Sequence, residues 1–395
     1  MKLFILAAML FSAAAVHASD STELFRKADE LTAQKKYNSA FKLLSENDGK
    51  GTKSDVVVKE ADIALKYFAQ SIMHQAFGFV DLEPGQTIED VRGKPGSYSL
   101  YQLPLDKILG ELIAKEPKNA SLYYCLGTYY YEVLTHYSGQ WALSDAELRT
   151  KARDNLLKAR ELGTSDAASL SIIGFAYLSD DDFKKASAFL GESLKLDPSD
   201  VNCRYNLSYA RYCEKDYAAS LDLASKSFDG YTDKVWKADA AKLAGNCCLQ
   251  TKKYADASAW FRKGIALYPD DYFTHNGLLQ SCISEGKDND AAAAADAMFA
   301  QHPTFPKVAD LIAENYLRAG KKDELDSFFT RSIAKYSDSE VKGNLYFHQA
   351  TFYLDTEEKE KAKPALVSAR ECFAKAFKKD HPVFGIIDEA LKSLE

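Results

Sequence analysis

Glycine and proline are scarce in this chain, at 20 and 10 of 395 residues. A turn-rich β architecture spends both freely at its corners, so the shortage points to helices. Long basic runs are also missing: 50 lysines and arginines stand against 57 acidic residues, for a net charge of −7. That balance excludes a general nucleic-acid surface or a broad anionic-membrane surface. Neither a Gly-x-Ser-x-Gly elbow nor a His-Glu-x-x-His helix occurs, and with them go two ready signatures of hydrolytic chemistry. The expectation is a protein that is not an enzyme and has no cofactor.

The one long apolar run is at the start, Leu3 to about Val16 behind a single Lys2, followed by Val16, His17 and Ala18 as a small-x-small cleavage site. This predicts a secretory signal peptide over residues 1–18. An uncleaved anchor fits less well, because the run is shorter than the ~20 residues a bilayer needs. No cysteine follows the run until Cys125, so no lipoprotein anchor is expected, and the mature chain is expected in the periplasm or secreted, without stable membrane insertion. Cysteines number seven, an odd count with no Cys-x-x-Cys pair. Their helical settings predict buried free thiols rather than disulfides or a metal knot.

Isolated chemical signals are weak. "GKGTKS" at 49–54 has the wrong order for a phosphate loop and no strand before it. His74, His136, His275, His302, His348 and His381 are scattered without ligand spacing, so no metal site is expected. Asp180, Asp181 and Asp182 fall in a turn between helices, where carboxylates favour the start of the next helix.

What the chain has in quantity is a recurring skeleton. Counting Ala167 as position 1 puts Gly174 at 8, Tyr177 at 11, Ala186 at 20, Leu190 at 24 and Pro198 at 32. The same offsets from Ala238 give Gly245, Ala257, Phe261 and Pro269, and those from Ala120 give Leu126, Gly127 and Tyr130. Small residues at 8 and 20 mark where two antiparallel helices touch most closely, and a proline at 32 ends the second helix. The pattern resembles the tetratricopeptide repeat, a helix-turn-helix of about 34 residues. The resemblance implies an all-α fold, a TPR superhelix (α-solenoid) of about nine repeats covering nearly all of the mature chain.

The units are expected as an N-terminal repeat at 19–53, two repeats with insertions at 54–164, a regular array at 165–337, and a last repeat with a capping helix at 338–395. In the second unit a helix from about Ser54 to Val80 is expected to pair with one from about Pro104 to Lys115, leaving 81–102 as a long loop. In the third, 135–147 is expected to separate the helices.

The resemblance further implies a concave groove lined by positions 2, 5, 9, 12 and 13 of each first helix. These positions hold Tyr124, Thr128 and Tyr131; then Ser171, Phe175 and Leu178; then Asn202, Tyr205, Tyr209 and Tyr212. Spacing of i, i+4 and i+7 puts each set on one helix face. Three readings stay open for this aromatic strip: contact with a partner, cover by the 81–102 insertion, or plain packing. Further on come Lys242 and Asn246, which with Lys307 match part of the family's carboxylate clamp, but Gly277 and Leu311 replace its remaining polar members. The leading expectation is a scaffold holding a protein or peptide in the groove. The alternative is a transport accessory protein or small-ligand binder docking a solute-binding partner.

Overall fold

The computed structural model describes residues 18–49 and 51–395. The expected leader therefore lies, but for Ala18, outside the described residues. The chain forms two compact units that divide after Pro198. The first holds α1 (Ala18–Ala33), α2 (Tyr37–Ser45), α3 (Ser54–Tyr67), β1 (Gln70–Ile72), β2 (Ala76–Phe79), β3 (Ser99–Gln102), α4 (Leu105–Lys115), α5 (Ala120–Tyr137), α6 (Asp145–Glu161), α7 (Ala167–Ser179) and α8 (Phe183–Leu196). The second holds α9 (Val201–Cys213), α10 (Tyr217–Gly230), α11 (Lys234–Gln250), α12 (Tyr254–Leu267), α13 (Tyr272–Glu285), α14 (Asp288–Gln301), α15 (Pro306–Arg318), α16 (Lys322–Lys335), α17 (Ser339–Asp355), α18 (Lys359–Ala376) and α19 (Pro382–Lys392).

Among the described residues, successive helices pack as nine antiparallel pairs, with α19 closing the end. Local chemistry sets the ends. Asp166, Asp182, Asp200, Asp216, Asp233, Asp271 and Asp338 each stand just before a helix and accept a hydrogen bond from a backbone N–H in its first turn. Such caps satisfy donors that have no partner inside the helix. Asp182 does this for α8, as expected for the acidic triplet, while Asp180 pairs with Arg153 at 2.6 Å.

One turn recurs in seven of the nine pairs. Lys35, Asp181, Lys215, Lys252, Gly286, Gly320 and Glu357 all have φ between 58° and 72°, and each lies two positions before the first residue of its pair's second helix. A left-handed residue ends the first helix and reverses the chain. The two pairs without it, α3–α4 and α5–α6, are those expected to carry insertions.

Within a pair the small-against-large contact is explicit. A Cβ added at Gly174 would sit 2.5 Å from Cγ of Leu190, and one at Gly127 would sit 2.6 Å from Cγ of Leu156. Phe261 of α12 is clasped twice, because a Cβ at Gly245 would meet its ring at 2.7 Å and one at Gly277 at 2.4 Å. Within these pairs the small residue at position 8 is filled by the large one at 24, where the repeat spacing led to the expectation of 8 against 20. Each unit has its own core, and none of the seven cysteines is in a disulfide, with Cys125, Cys203, Cys247, Cys248 and Cys282 buried.

The insertions correct the sequence reading. Helix α3 ends at Tyr67, not Val80, and the next residues enter a three-stranded antiparallel sheet in the order β1-β2-β3. The expected 81–102 loop supplies a one-turn helix at Ile88–Asp90 and all of β3. Phe77 and Phe79 of β2 are fully buried, and Phe79 stacks on Phe41 of α2 at 4.4 Å. An apolar run such as Ala76–Phe79 packs equally well from a strand or a helix, which is why its periodicity did not separate them. Asp81 ties the insertion to α2 by accepting from Ser39 N at 2.9 Å. The α5–α6 connection is also shorter than expected, since α5 runs to Tyr137 and α6 starts at Asp145 behind a Ser144–Glu147 capping box. Among the described residues no helix is long and apolar enough to cross a membrane.

Candidate functional site

In the second unit the first helices α9, α11, α13, α15 and α17 lie side by side, each touching the next but one along the chain. Polar pairs cross between them. Lys242 of α11 meets Asp239 on its own helix and Asp271 at the start of α13, both at 2.8 Å. Burial works to lower the Lys242 pKa, but the two carboxylates outweigh it and hold the ammonium charged. Asn315 of α15 donates to Asn276 of α13 at 2.6 Å, and His348 of α17 meets Asp310 of α15 at 3.2 Å. Lys242 is therefore committed to two internal acids, which removes it as a ready cation for a carboxylate clamp. Asn246, one turn on, is half-buried.

The aromatic residues of α9 divide by exposure. Tyr205 is half-buried, and burial, helped by Asp239, raises its pKa. Tyr212 is half-buried against Tyr217, with ring centroids 5.5 Å apart. Tyr209 alone of the three is open, at 44%. Asn202 is exposed and accepts from the Tyr231 hydroxyl at 3.0 Å. Tyr231 in turn touches Tyr205 at 6.2 Å on one side and Trp236 at 6.3 Å on the other. The result is a chain of rings from α9 to the head of α11, ending on Trp236, which is 52% exposed. A second exposed group sits at the heads of α13 and α15, where Phe273 (55%) and Phe305 (46%) flank Tyr272 at 4.3 and 5.8 Å. Trp236 and Phe305 were missed in the sequence because they lie just before position 1 of their units, outside the groove positions that the repeat register marks, and Phe273, at position 2, was passed over within it.

In the first unit the expected residues are largely used up by the fold. The Tyr124 hydroxyl donates to Asp166 at 2.8 Å, and Asp166 caps α7 through Ser169 N. Tyr131 packs edge-on against Phe175 of α7 at 6.0 Å. These contacts join α5 to α7, so Tyr124, Tyr131 and Phe175 serve packing between neighbouring first helices.

The scattered-histidine reading is corrected at one place. The β1–β2 turn places Met73 and His74 in the left-handed region, at φ 51° and 48°, and closes through Gln75 N donating to Ile72 O at 2.9 Å. His74 is fully buried and faces the end of α5, where Glu132 and His136 stand one turn apart. One ligand-type atom from each of the three lies within 4.8 Å of the others. Glu132 and His136 are already 3.2 Å apart. His74 Nδ1 is hydrogen-bonded to Ser71 Oγ at 2.8 Å, whereas Nε2 is buried and has no hydrogen-bond partner. Burial, with the nearby His136, pushes the His74 pKa down to about 3, so its ring is neutral. Burial also raises the Glu132 carboxyl, against the opposing pull of His136 and Arg92. The Glu132–His136 spacing of i, i+4 was readable in the sequence, but the third member depends on a hairpin that was not.

No family model matches the chain, and no curated protein matches it in sequence. Among solved structures it is similar to a tetratricopeptide repeat protein from Parabacteroides merdae, at 16% identity over 67% of this chain and 98% of that one, with a TM-score of 0.42. It is similar also to YrrB, described as a TPR protein with an unusual peptide-binding site (16% identity, 47% of this chain and 95% of that one, TM-score 0.37), and to PilF of Pseudomonas aeruginosa (16%, 58% and 96%, 0.38). Among the described residues, the helix pairs, the turn that seven of them share and the glycine contacts give the chain a tetratricopeptide-type fold on its own geometry.

Proposed function

We propose that this protein is a non-catalytic scaffold that holds a peptide segment of a partner protein against the first-helix face of its second unit. The observation that supports this reading most is the run of rings Tyr205, Tyr231 and Trp236, buried at Tyr231 and open at Trp236, with the exposed Tyr209 one turn along α9 from Tyr205. Rings fixed by neighbours lose little entropy on binding and offer a large apolar area with polar edges. The committed Lys242–Asp271 pair and the Asn276–Asn315 bond give the adjoining surface a polar, self-neutralised character. A segment carrying apolar or aromatic side chains with few charges fits such a face better than an acidic C-terminus does. With the export expected from residues 1–18, the partner belongs to the cell envelope or its surroundings.

A displayed random-peptide library selected on the full chain tests this. Selected peptides should lose at least about tenfold in affinity for the double variant Tyr209→Ala, Trp236→Ala, as central interface aromatics carry roughly 2 kcal/mol or more each. Peptides whose binding is unchanged by both substitutions would show that the face is not the site.

A further inference from the structure

We propose that His74, Glu132 and His136 bind a divalent transition-metal ion of the zinc class, through His74 Nε2, a Glu132 carboxylate oxygen and a ring nitrogen of His136. The site is in the first unit and stands independently of the peptide-binding face. Two imidazoles and one carboxylate suit zinc and its neighbours rather than magnesium or calcium, which prefer oxygen alone. Three protein ligands also leave a tetrahedral ion one position for water or an outside group.

Neighbouring residues bear on the liganding forms of His74 and Glu132. A histidine that ligates through one nitrogen commonly donates from the other, which fixes the ring. His74 Nδ1 lies 2.8 Å from Ser71 Oγ, which serves as that partner in the tautomer protonated at Nδ1; the same oxygen accepts from His74 N and from the Tyr137 hydroxyl, each at 3.1 Å, so the hairpin and the end of α5 are joined through it. Arg92 lies over the Phe68 ring at 4.5 Å and donates to the carbonyls of Phe68 and Lys66. Its charge opposes a cation at a distance, but it also favours the ionised Glu132 that a metal requires. Glu132 and His136 keep part of their side chains in solvent, which leaves a way in and freedom to close the remaining separation.

Packing alone is the competing account, because His74 also contacts Phe77 at 5.2 Å and Tyr137 at 5.0 Å. A phenyl ring would serve that purpose without burying an unpaired nitrogen, a loss worth about 1–3 kcal/mol.

The full chain, stripped with a chelator and titrated with Zn²⁺ and Co²⁺, should bind one ion with a visible Co²⁺ absorption of low-coordinate type. Glu132→Gln and His136→Ala should each weaken binding by at least about tenfold, the scale on which even outer-shell partners matter. His74→Phe, which keeps the ring packing, should abolish the Co²⁺ spectrum, while His302→Ala, outside the cluster, should change nothing. Circular dichroism of each variant checks that the helices are intact. Wild-type protein that takes up no stoichiometric ion, or an affinity untouched by Glu132→Gln and His136→Ala, would overturn the proposal.

Discussion

Between α11 and α12 the chain reverses through Thr251, Lys252 and Lys253; between α3 and α4 it runs through all of residues 68–104. The first pair closes around Phe261, gripped by glycines of α11 and α13. In the second, β2 and β3 leave the helices and pack on their neighbour, with Phe41 of α2 held by Phe79 at 4.4 Å and Tyr101 at 4.9 Å. A tight pair thus spends the apolar surface between its helices on its partner helix and the next repeat, and leaves a ring such as Trp236 uncovered only at the head of a helix. An opened pair covers part of its surface with its own insertion and can bring a residue such as His74 to a place the repeat register does not reach.

The largest expected effect is on the tight side. Phe261→Ala removes a fully buried ring from a slot too close-fitting to collapse, and should cost about 3–5 kcal/mol in a denaturant titration. A loss under about 1 kcal/mol would mean that the glycine contacts do not carry the pair.

The opened pair should betray itself through pH. Glu60 of α3 is buried with both carboxylate oxygens unpartnered, and burial, with a contribution from Asp48, raises its pKa from 4.5 to about 8. Between those values the folded chain keeps a proton that the unfolded chain sheds. Stability therefore falls as pH rises through that window, by up to about 1.4 kcal/mol per pH unit from this group. Glu60→Gln, neutral throughout, should flatten the slope between pH 5 and 8; an unchanged slope would assign it elsewhere.

Much of this was legible in the sequence, and the shared turn shows why. Gly174, Gly245, Leu190 and Phe261 recur at fixed offsets because helix contact imposes a size limit at those positions, and such limits leave a trace in residue type. The two interrupted pairs were legible for the same reason, as departures from the offsets. The strands were not, since "AFGFV" satisfies a buried helix as well as a buried strand. Lys242 showed its position but not its partners, because Asp271 stands at the start of α13, beyond the whole of α12. Trp236 and Phe273 were missed because a binding edge is set by what stays uncovered, and that depends on neighbours.

The turn also allows a smaller test. Lys252 adopts φ 60° where Gly286 and Gly320 do the same without a Cβ. Lys252→Gly should therefore be stabilising or neutral, with a gain of at most about 1 kcal/mol, read as a rise in midpoint denaturant concentration. A clear loss would show that Lys252 contributes more by its side chain than its backbone costs.

On the proposed function, the rings at the tips of the second unit's face bind, while those between its helices hold the fold together. Tyr205 and Tyr212, half-buried, mix the two roles, so the decisive variant is Tyr209→Ala with Trp236→Ala. Its melting temperature should be measured beside that of Gly174→Leu, whose side chain would collide with Leu190 and cost about 1–3 kcal/mol or more. The double variant should melt close to wild type, within about 1 kcal/mol for two surface changes, while selected peptides no longer bind it. A double variant that melts as low as Gly174→Leu would contradict that function, because the exposed rings would then belong to the scaffold and not to what the scaffold holds.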